Sequence, residues 1–381
     1  MNRSKSYGMI ERTLATLALV GLLASPAMTV AQNRVGLAPA GDVVGAGNFI
    51  HMVADMERTV GFYTILLGVQ ANDEAKNWPY YREFKSVPGI DVMYNAPGSK
   101  FKNTTFTVSN SDLVLEFFEW EGNSKRPPVV SRVFDLGVPM IEMQVRNIDA
   151  VIEAVKKYGG SFVTPNGVPV RFGSRRVLMV RDPDGYFIHV TALDGPPPAA
   201  EPGNSIGATL RLTAADANKA AHFFETVFGF SVYKASEFTD DPLMGRAMGL
   251  NTLRQRWAGS TVPGSTLPMQ FAEYDKLDGK KVDQALPRPG TAMLRMRVRD
   301  FDASLAKAMT AGATMAPGNK APTVLGNNTR IVVIVTPDGQ LLQLAEEAKP
   351  NPATAPAAGA PAVTKASAAT GKPAAPATKS P

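Results

Sequence analysis

The chain has 381 residues, 44% of them hydrophobic, enough for more than one buried core and a length that suits two folded domains better than one. Of its formal charge of +6, residues 1–31 carry +2 and residues 347–381 carry +3, so the part between is left with +1 and a nucleic-acid partner loses its main support. There is no cysteine, which excludes a disulfide framework and an anchor through a lipidated Cys, and leaves stability to packing.

Residues 1–31 begin with Arg3, Lys5 and Arg12, continue with the 11-residue apolar run LATLALVGLLA, and end in small residues around MTVAQ. That order reads as a secretory leader expected to be cleaved near Ala31, with an apolar run too short to span a bilayer comfortably and an uncleaved anchor as the competing reading. A periplasmic or secreted protein with no stable membrane span after cleavage is expected. The other end, residues 347–381, is rich in Ala and Pro without an aromatic residue and reads as a disordered tail.

Between them the chain repeats one plan. A short apolar strand leads to an Asp or Asn that can cap a helix, at Asp55, Asn147, Asp216 and Asp300. In the first helix Met56, Val60, Tyr63 and Leu67 recur at helical spacing, and Gly68 stands where a left-handed C-terminal residue is wanted. In the second, Ile152 and Val155 form the stripe and Gly159 and Gly160 end it. Alternating strands follow each helix, most clearly in SDLVLEFFEW, where Leu113, Leu115 and Phe117 share one face and Val114, Glu116 and Phe118 the other. The repeat has a fixed phase: Asp184 and Asp338, in the turns RDPDGYFIHV and VTPDGQLLQL, lie 154 residues apart, as do Glu116 and Gln270 in LVLEFFEW and LPMQFAEY. Pro and Gly explain the PDG turn as architecture. Four βαβββ modules result, an α+β chain.

The sequence V-x-D, then FY and LG, then LEFFE and RDPDG-x-x-x-H resembles the vicinal oxygen chelate (VOC) superfamily of glyoxalase I, bleomycin-resistance proteins and extradiol dioxygenases, over roughly 300 residues from Ala46 to Glu346. The resemblance implies paired modules with cupped mixed sheets, here a first VOC domain over 45–195 and a second over 204–346. It also implies small-molecule chemistry, often on a divalent metal, with ligands from the first and last strands of each module. By register these positions are Asn48, Glu116, Met140 and His189 in the first domain and Thr209, Gln270, Met293 and Gln343 in the second.

Glu116 and His189 are the metal-type donors of the first set, and Asn48 adds an oxygen, so these three are the candidate metal ligands and Glu116 the candidate catalytic group. Met140 is a poor ligand, whereas Glu142 and Gln144 share its strand face and could substitute with a shifted geometry. His51 falls on the helix-facing side with Phe49 and Val53, and His222 on a solvated helix. In the second domain Arg295 and Arg297 alternate with apolar residues and Arg211 follows Thr209, which makes Arg211, Arg295, Arg297, Gln270 and Gln343 candidates for binding an anionic small molecule. NWPYYREF and RQRWAGSTVPGS are expected as loops flanking the cups. Two functions stay open: an enzyme of glyoxalase or dioxygenase type assisted by Zn, Ni, Mn or Fe(II), and a protein that sequesters a small molecule with no cofactor.

Overall fold

A computed structural model describes residues 42–72, 81–194, 202–325 and 328–347. The leader expected over 1–31 and the tail expected from 347, apart from Glu347 itself, lie outside the described residues.

Four modules follow in order. The first comprises β1 (Val43–Val53), α1 (Met56–Leu67), β2 (Tyr81–Lys85), the short α2 (Ile90–Met93), β3 (Phe101–Thr107) and β4 (Val114–Trp120). The second has β5 (Pro139–Val145), α3 (Ile148–Tyr158), β6 (Ser161–Phe162), β7 (Val170–Phe172), β8 (Arg175–Arg181) and β9 (Phe187–Leu193). The third has β10 (Ser205–Thr213), α4 (Ala217–Phe228), β11 (Thr239–Asp240), the short α5 (Pro242–Ala247), β12 (Arg254–Thr261) and β13 (Pro268–Tyr274). The fourth has β14 (Ala292–Val298), α6 (Phe301–Thr310), β15 (Thr314–Met315), β16 (Thr323–Val324), β17 (Arg330–Val335) and β18 (Leu341–Glu346). The α+β class is as expected. No helix among the described residues is long and apolar enough to cross a membrane.

Local signals act where the residues place them. Asp55, Asn147, Asp216 and Asp300 each accept a hydrogen bond from a backbone N–H in the first turn of the following helix, which satisfies a donor the helix itself cannot. Three of the helices end on glycines with positive φ, Gly68 at 66°, Gly159 at 77° and Gly229 at 70°, the left-handed cap that a Cβ would disfavour.

Strand pairing departs from sequence order. One nine-stranded sheet runs β15-β17-β18-β14-β1-β4-β3-β2, with β16 on β17, and the other runs β11-β12-β13-β10-β5-β9-β8-β6, with β7 on β8. The first sheet therefore joins modules one and four, and the second joins modules two and three. The seams are antiparallel, β1 on β14 with Ile50 opposite Met293, and β5 on β10 with Met140 opposite Arg211. Strand pairing thus crosses the expected division into 45–195 and 204–346: among the described residues each sheet draws one module from either stretch. RQRWAGST, expected as a loop, is strand β12, and YREF of the other expected loop lies in β2.

Helices cover one face of each sheet through a continuous apolar core that includes Phe49, Phe62, Phe117, Val151, Leu178, Phe224, Phe271 and Leu344. The faces turned away from it, the cup sides, hold two smaller clusters. One contains Ile50, Met52, Met93, Tyr94, Phe118, Trp120 and Met293. The other contains Met140, Met179, Phe187, Met244, Met248 and Tyr274.

The two PDG turns latch the sheets together. Asp184, between β8 and β9, accepts from Ala54 N at 2.9 Å and Arg58 Nη2 at 3.1 Å at the start of α1. Asp338, between β17 and β18, accepts from Ala215 N at 3.3 Å, and Gln340 Nε2 donates to Thr213 O at 3.0 Å. Gly137, with φ 79°, backs onto the second turn, where a Cβ would sit 2.8 Å from Gly339 C and 2.9 Å from Asp338 O. Both neighbours are backbone, so Gly137→Ala is expected to cost roughly 2 kcal/mol, measured by urea unfolding.

Candidate functional site

Each sheet brings four polar side chains from the first and last strands of its two modules to one place on the cup side. In the first sheet these are Asn48 of β1, Glu116 of β4, Arg295 of β14 and Gln343 of β18. Alternation puts them on one face, and pairing aligns them: Glu116 lies opposite Ile50, and Arg295 opposite Gln343. Glu116 is fully buried. Its Oε2 is 3.1 Å from Arg295 Nη2 and accepts from Asn48 Nδ2 at 2.9 Å. Arg295 Nε donates to Gln343 Oε1 at 2.5 Å, and Gln343 Nε2 donates to Tyr94 Oη at 3.3 Å. Burial, reinforced by the Glu116 charge, raises the Tyr94 pKa, so its phenol stays neutral. With Tyr94 and Trp120 both about 1% exposed or less, this cup is filled.

In the second sheet the four are Glu142 of β5, His189 of β9, Arg211 of β10 and Gln270 of β13. Glu142 lies directly opposite His189, and Arg211 opposite Gln270. Arg211 Nε is 2.8 Å from Glu142 Oε1, its Nη1 donates to Gln255 Oε1 at 3.0 Å, and its Nη2 donates to Gln270 Oε1 at 2.9 Å. His189 Nδ1 faces the same Glu142 oxygen at 3.2 Å. Burial alone would raise the Glu142 pKa, but the Arg211 charge and the hydrogen bond to His189 outweigh it and hold the carboxyl down to about 2. This cup is more open: the side chains of Glu142 and His189 are 17% and 14% exposed, and the half-buried Trp257 shares the face of Gln255. Tyr233 meets Trp257 edge-on at 5.0 Å between ring centroids. Among the described residues the buried His189 Nε2 has no hydrogen-bond partner.

The structure separates the expected metal set. Asn48 and Glu116 meet in the first sheet, but His189 belongs to the second, because modules one and two do not share a sheet. The polar positions that converge also lie one pleat from those expected by register. Met140 and Met293 lie in the apolar floors, and the converging positions are two residues further, Glu142 and Arg295. In β10 the position is Arg211, two beyond Thr209. Arg211 and Arg295, expected to bind an anionic molecule, face a carboxylate and amide oxygens, and Arg297 is exposed near its strand end. Glu142 was legible only as a strand-face neighbour of Met140.

His51 stands on the helix side, as its register requires. Its Nε2 is 3.1 Å from Asp182 Oδ2, which also accepts from Tyr63 Oη at 3.0 Å. His222 is a surface residue beside Glu225 at 3.1 Å.

Neither donor set suits a divalent metal. The first has one carboxylate, two amides and a guanidinium, and the second has one carboxylate and one imidazole, with the guanidinium on the oxygen the imidazole faces. Among the described residues no group of three or more His, Cys, Asp or Glu side chains is placed to hold a metal ion.

Two mixed sheets of paired βαβββ modules, each gathering polar side chains on its cup side, define a glyoxalase-like architecture. Residues 46–190 match the model of the Glyoxalase/Bleomycin resistance protein/Dioxygenase superfamily. The chain is 25% identical over 192 residues to lactoylglutathione lyase GLX1 of Arabidopsis thaliana, a match that covers 49% of this chain and only 56% of that protein. It is 26% identical over 144 residues to the lactoylglutathione lyase of Haemophilus influenzae, covering 36% of this chain and 83% of the relative. The crystal structure of glyoxalase I from Zea mays shares the fold, with a TM-score of 0.50 and 18% identity over 80% of this chain and 92% of that one.

Proposed function

We propose that this is an exported superfamily member that binds a small organic molecule in the cup of the second sheet without a resident divalent metal. The observation that carries the reading is His189. Its Nδ1 is oriented by the ionised Glu142, while Nε2 is buried and has no partner among the described residues, and a buried polar atom is normally satisfied. A ligand hydroxyl or carbonyl would complete it, with Trp257 and Tyr233 as an apolar wall for the rest of the molecule. The leader pattern of residues 1–31 supports export. The lyase activity named for the relatives is not carried over, because neither cup assembles the donors a metal-assisted reaction would use.

The test is a melting screen of the purified protein with catechol, 4-hydroxybenzoate and S-lactoylglutathione, with and without a chelator. At least one compound is expected to raise the melting temperature equally in both conditions, and His189→Ala should weaken its binding about tenfold, the worth of one hydrogen bond. A ligand response abolished by the chelator, or unchanged in His189→Ala, would refute the reading.

A further inference from the structure

We infer that in each cup an arginine, buried at Arg211 and half-buried at Arg295, serves as the fixed cation, standing where a divalent metal would otherwise have to be held. The two cups share the arginine and glutamine positions and differ in the strand that supplies the carboxylate. In both, the arginine comes from the first strand of the later module, Arg295 on β14 and Arg211 on β10, and a glutamine comes from the last strand of that module, Gln343 and Gln270. The carboxylate comes from the earlier module, but from different strands: Glu116 on β4 and Glu142 on β5. A shared outcome reached from different carboxylate positions argues that the ion pair itself is the constant feature.

The oxygens around each guanidinium converge as they would on a cation. Around Arg211 they are Glu142 Oε1 at 2.8 Å, Gln255 Oε1 at 3.0 Å and Gln270 Oε1 at 2.9 Å. Around Arg295 they are Glu116 Oε2 at 3.1 Å and Gln343 Oε1 at 2.5 Å. The arginine side chains are only 8% and 15% exposed, and a guanidinium does not lose its proton in a protein, so the charge is permanent. A divalent ion entering either cup would meet that charge with a single carboxylate left to oppose it. Replacing the arginine with a shorter neutral donor, and the glutamine with a carboxylate, would exchange the fixed cation for a ligand set.

The experiment uses Co²⁺, whose visible absorption reports a protein site, and Zn²⁺ in thermal melts. Wild-type chain is expected to show no Co²⁺ band and no Zn²⁺-induced melting shift. Arg211→His with Gln270→Glu in one cup, and Arg295→His with Gln343→Glu in the other, give two chances of a folded variant. Each folded double variant is expected to take up one equivalent of Co²⁺ and to melt several degrees higher with Zn²⁺, about the effect of a ligand well above its Kd. Gln343→Glu alone keeps the guanidinium and should stay metal-free. Stoichiometric uptake by wild type or by Gln343→Glu, or a lack of uptake in a double variant that keeps wild-type circular dichroism, overturns the inference. The readout is metal content, so its failure is distinct from failure of the ligand reading, which rests on His189.

Discussion

Arg295→Ala should lower the stability of the chain by about 3–5 kcal/mol, the usual consequence of leaving a buried charge without its partner. Glu116 is fully buried, and with Arg295 removed Asn48 Nδ2 would be the one side-chain donor left to it among the described residues. The carboxylate would then be left uncompensated in an apolar pocket beside Phe118, Trp120 and Tyr94. Removing both charges is a different experiment. Arg295→Met with Glu116→Gln should recover most of the loss, because the desolvation cost of the pair disappears along with its attraction. Urea unfolding at neutral pH gives both values. A single-variant loss below about 1 kcal/mol would mean that the ion pair is not what keeps Glu116 tolerable there.

Asp182→Ala is expected to cost a similar amount, about 3–5 kcal/mol. Asp182 is 2% exposed and accepts from Asp184 N and Tyr186 N at 2.9 Å each and from Tyr63 Oη at 3.0 Å, with His51 Nε2 at 3.1 Å. Its loss would loosen the first PDG turn and strand His51 and Tyr63 at the contact between the two sheets. The pH profile separates the two aspartates of this turn. Burial raises the Asp182 pKa, but His51 and the hydrogen bonds more than reverse this and hold it below the usual carboxylate range. Its contribution is therefore present above the unfolded value and lost as pH falls through the folded one. Asp184 behaves oppositely: burial, then the Asp182 charge, push it up to about 6. Between about pH 4 and pH 6 the folded protein holds a proton there that the unfolded chain has released, so stability falls as pH rises through that window, by on the order of 2 kcal/mol. Asp184→Asn keeps an acceptor for Ala54 N and should flatten that fall. Urea midpoints at pH 4, 5, 6 and 7.5 decide it, and an unchanged slope would exclude Asp184 as its source.

Much of this fold was written locally. Asp55, Asn147, Asp216 and Asp300 cap helices because a short side-chain acceptor reaches first-turn N–H groups whatever the rest of the chain does. Gly68, Gly159 and Gly229 end helices because only the backbone conformation at that residue matters, and the PDG turns follow from Pro and Gly in the same way. Alternation along a strand needs no partner either, which is why His51 could be assigned to the helix side and Glu116 to the cup side.

Partnership is a long-range matter, and there the tertiary structure decided. Four modules on one plan offer similar strand edges, so nothing within a module states whether the first pairs with the second or the fourth. The β1–β14 and β5–β10 seams settle that, and with it the company each polar residue keeps: Glu116 meets Arg295 instead of His189, and His189 meets Glu142 and Arg211. The remaining difference is one pleat, Met140 to Glu142 and Met293 to Arg295, a two-residue shift that preserves the strand face and so leaves the alternation pattern unchanged. By itself the sequence determined the modules, their caps and turns, and the face on which each site residue lies. Which charges share a cup depended on contacts between strands far apart in the chain, and those exist only once the two sheets have formed.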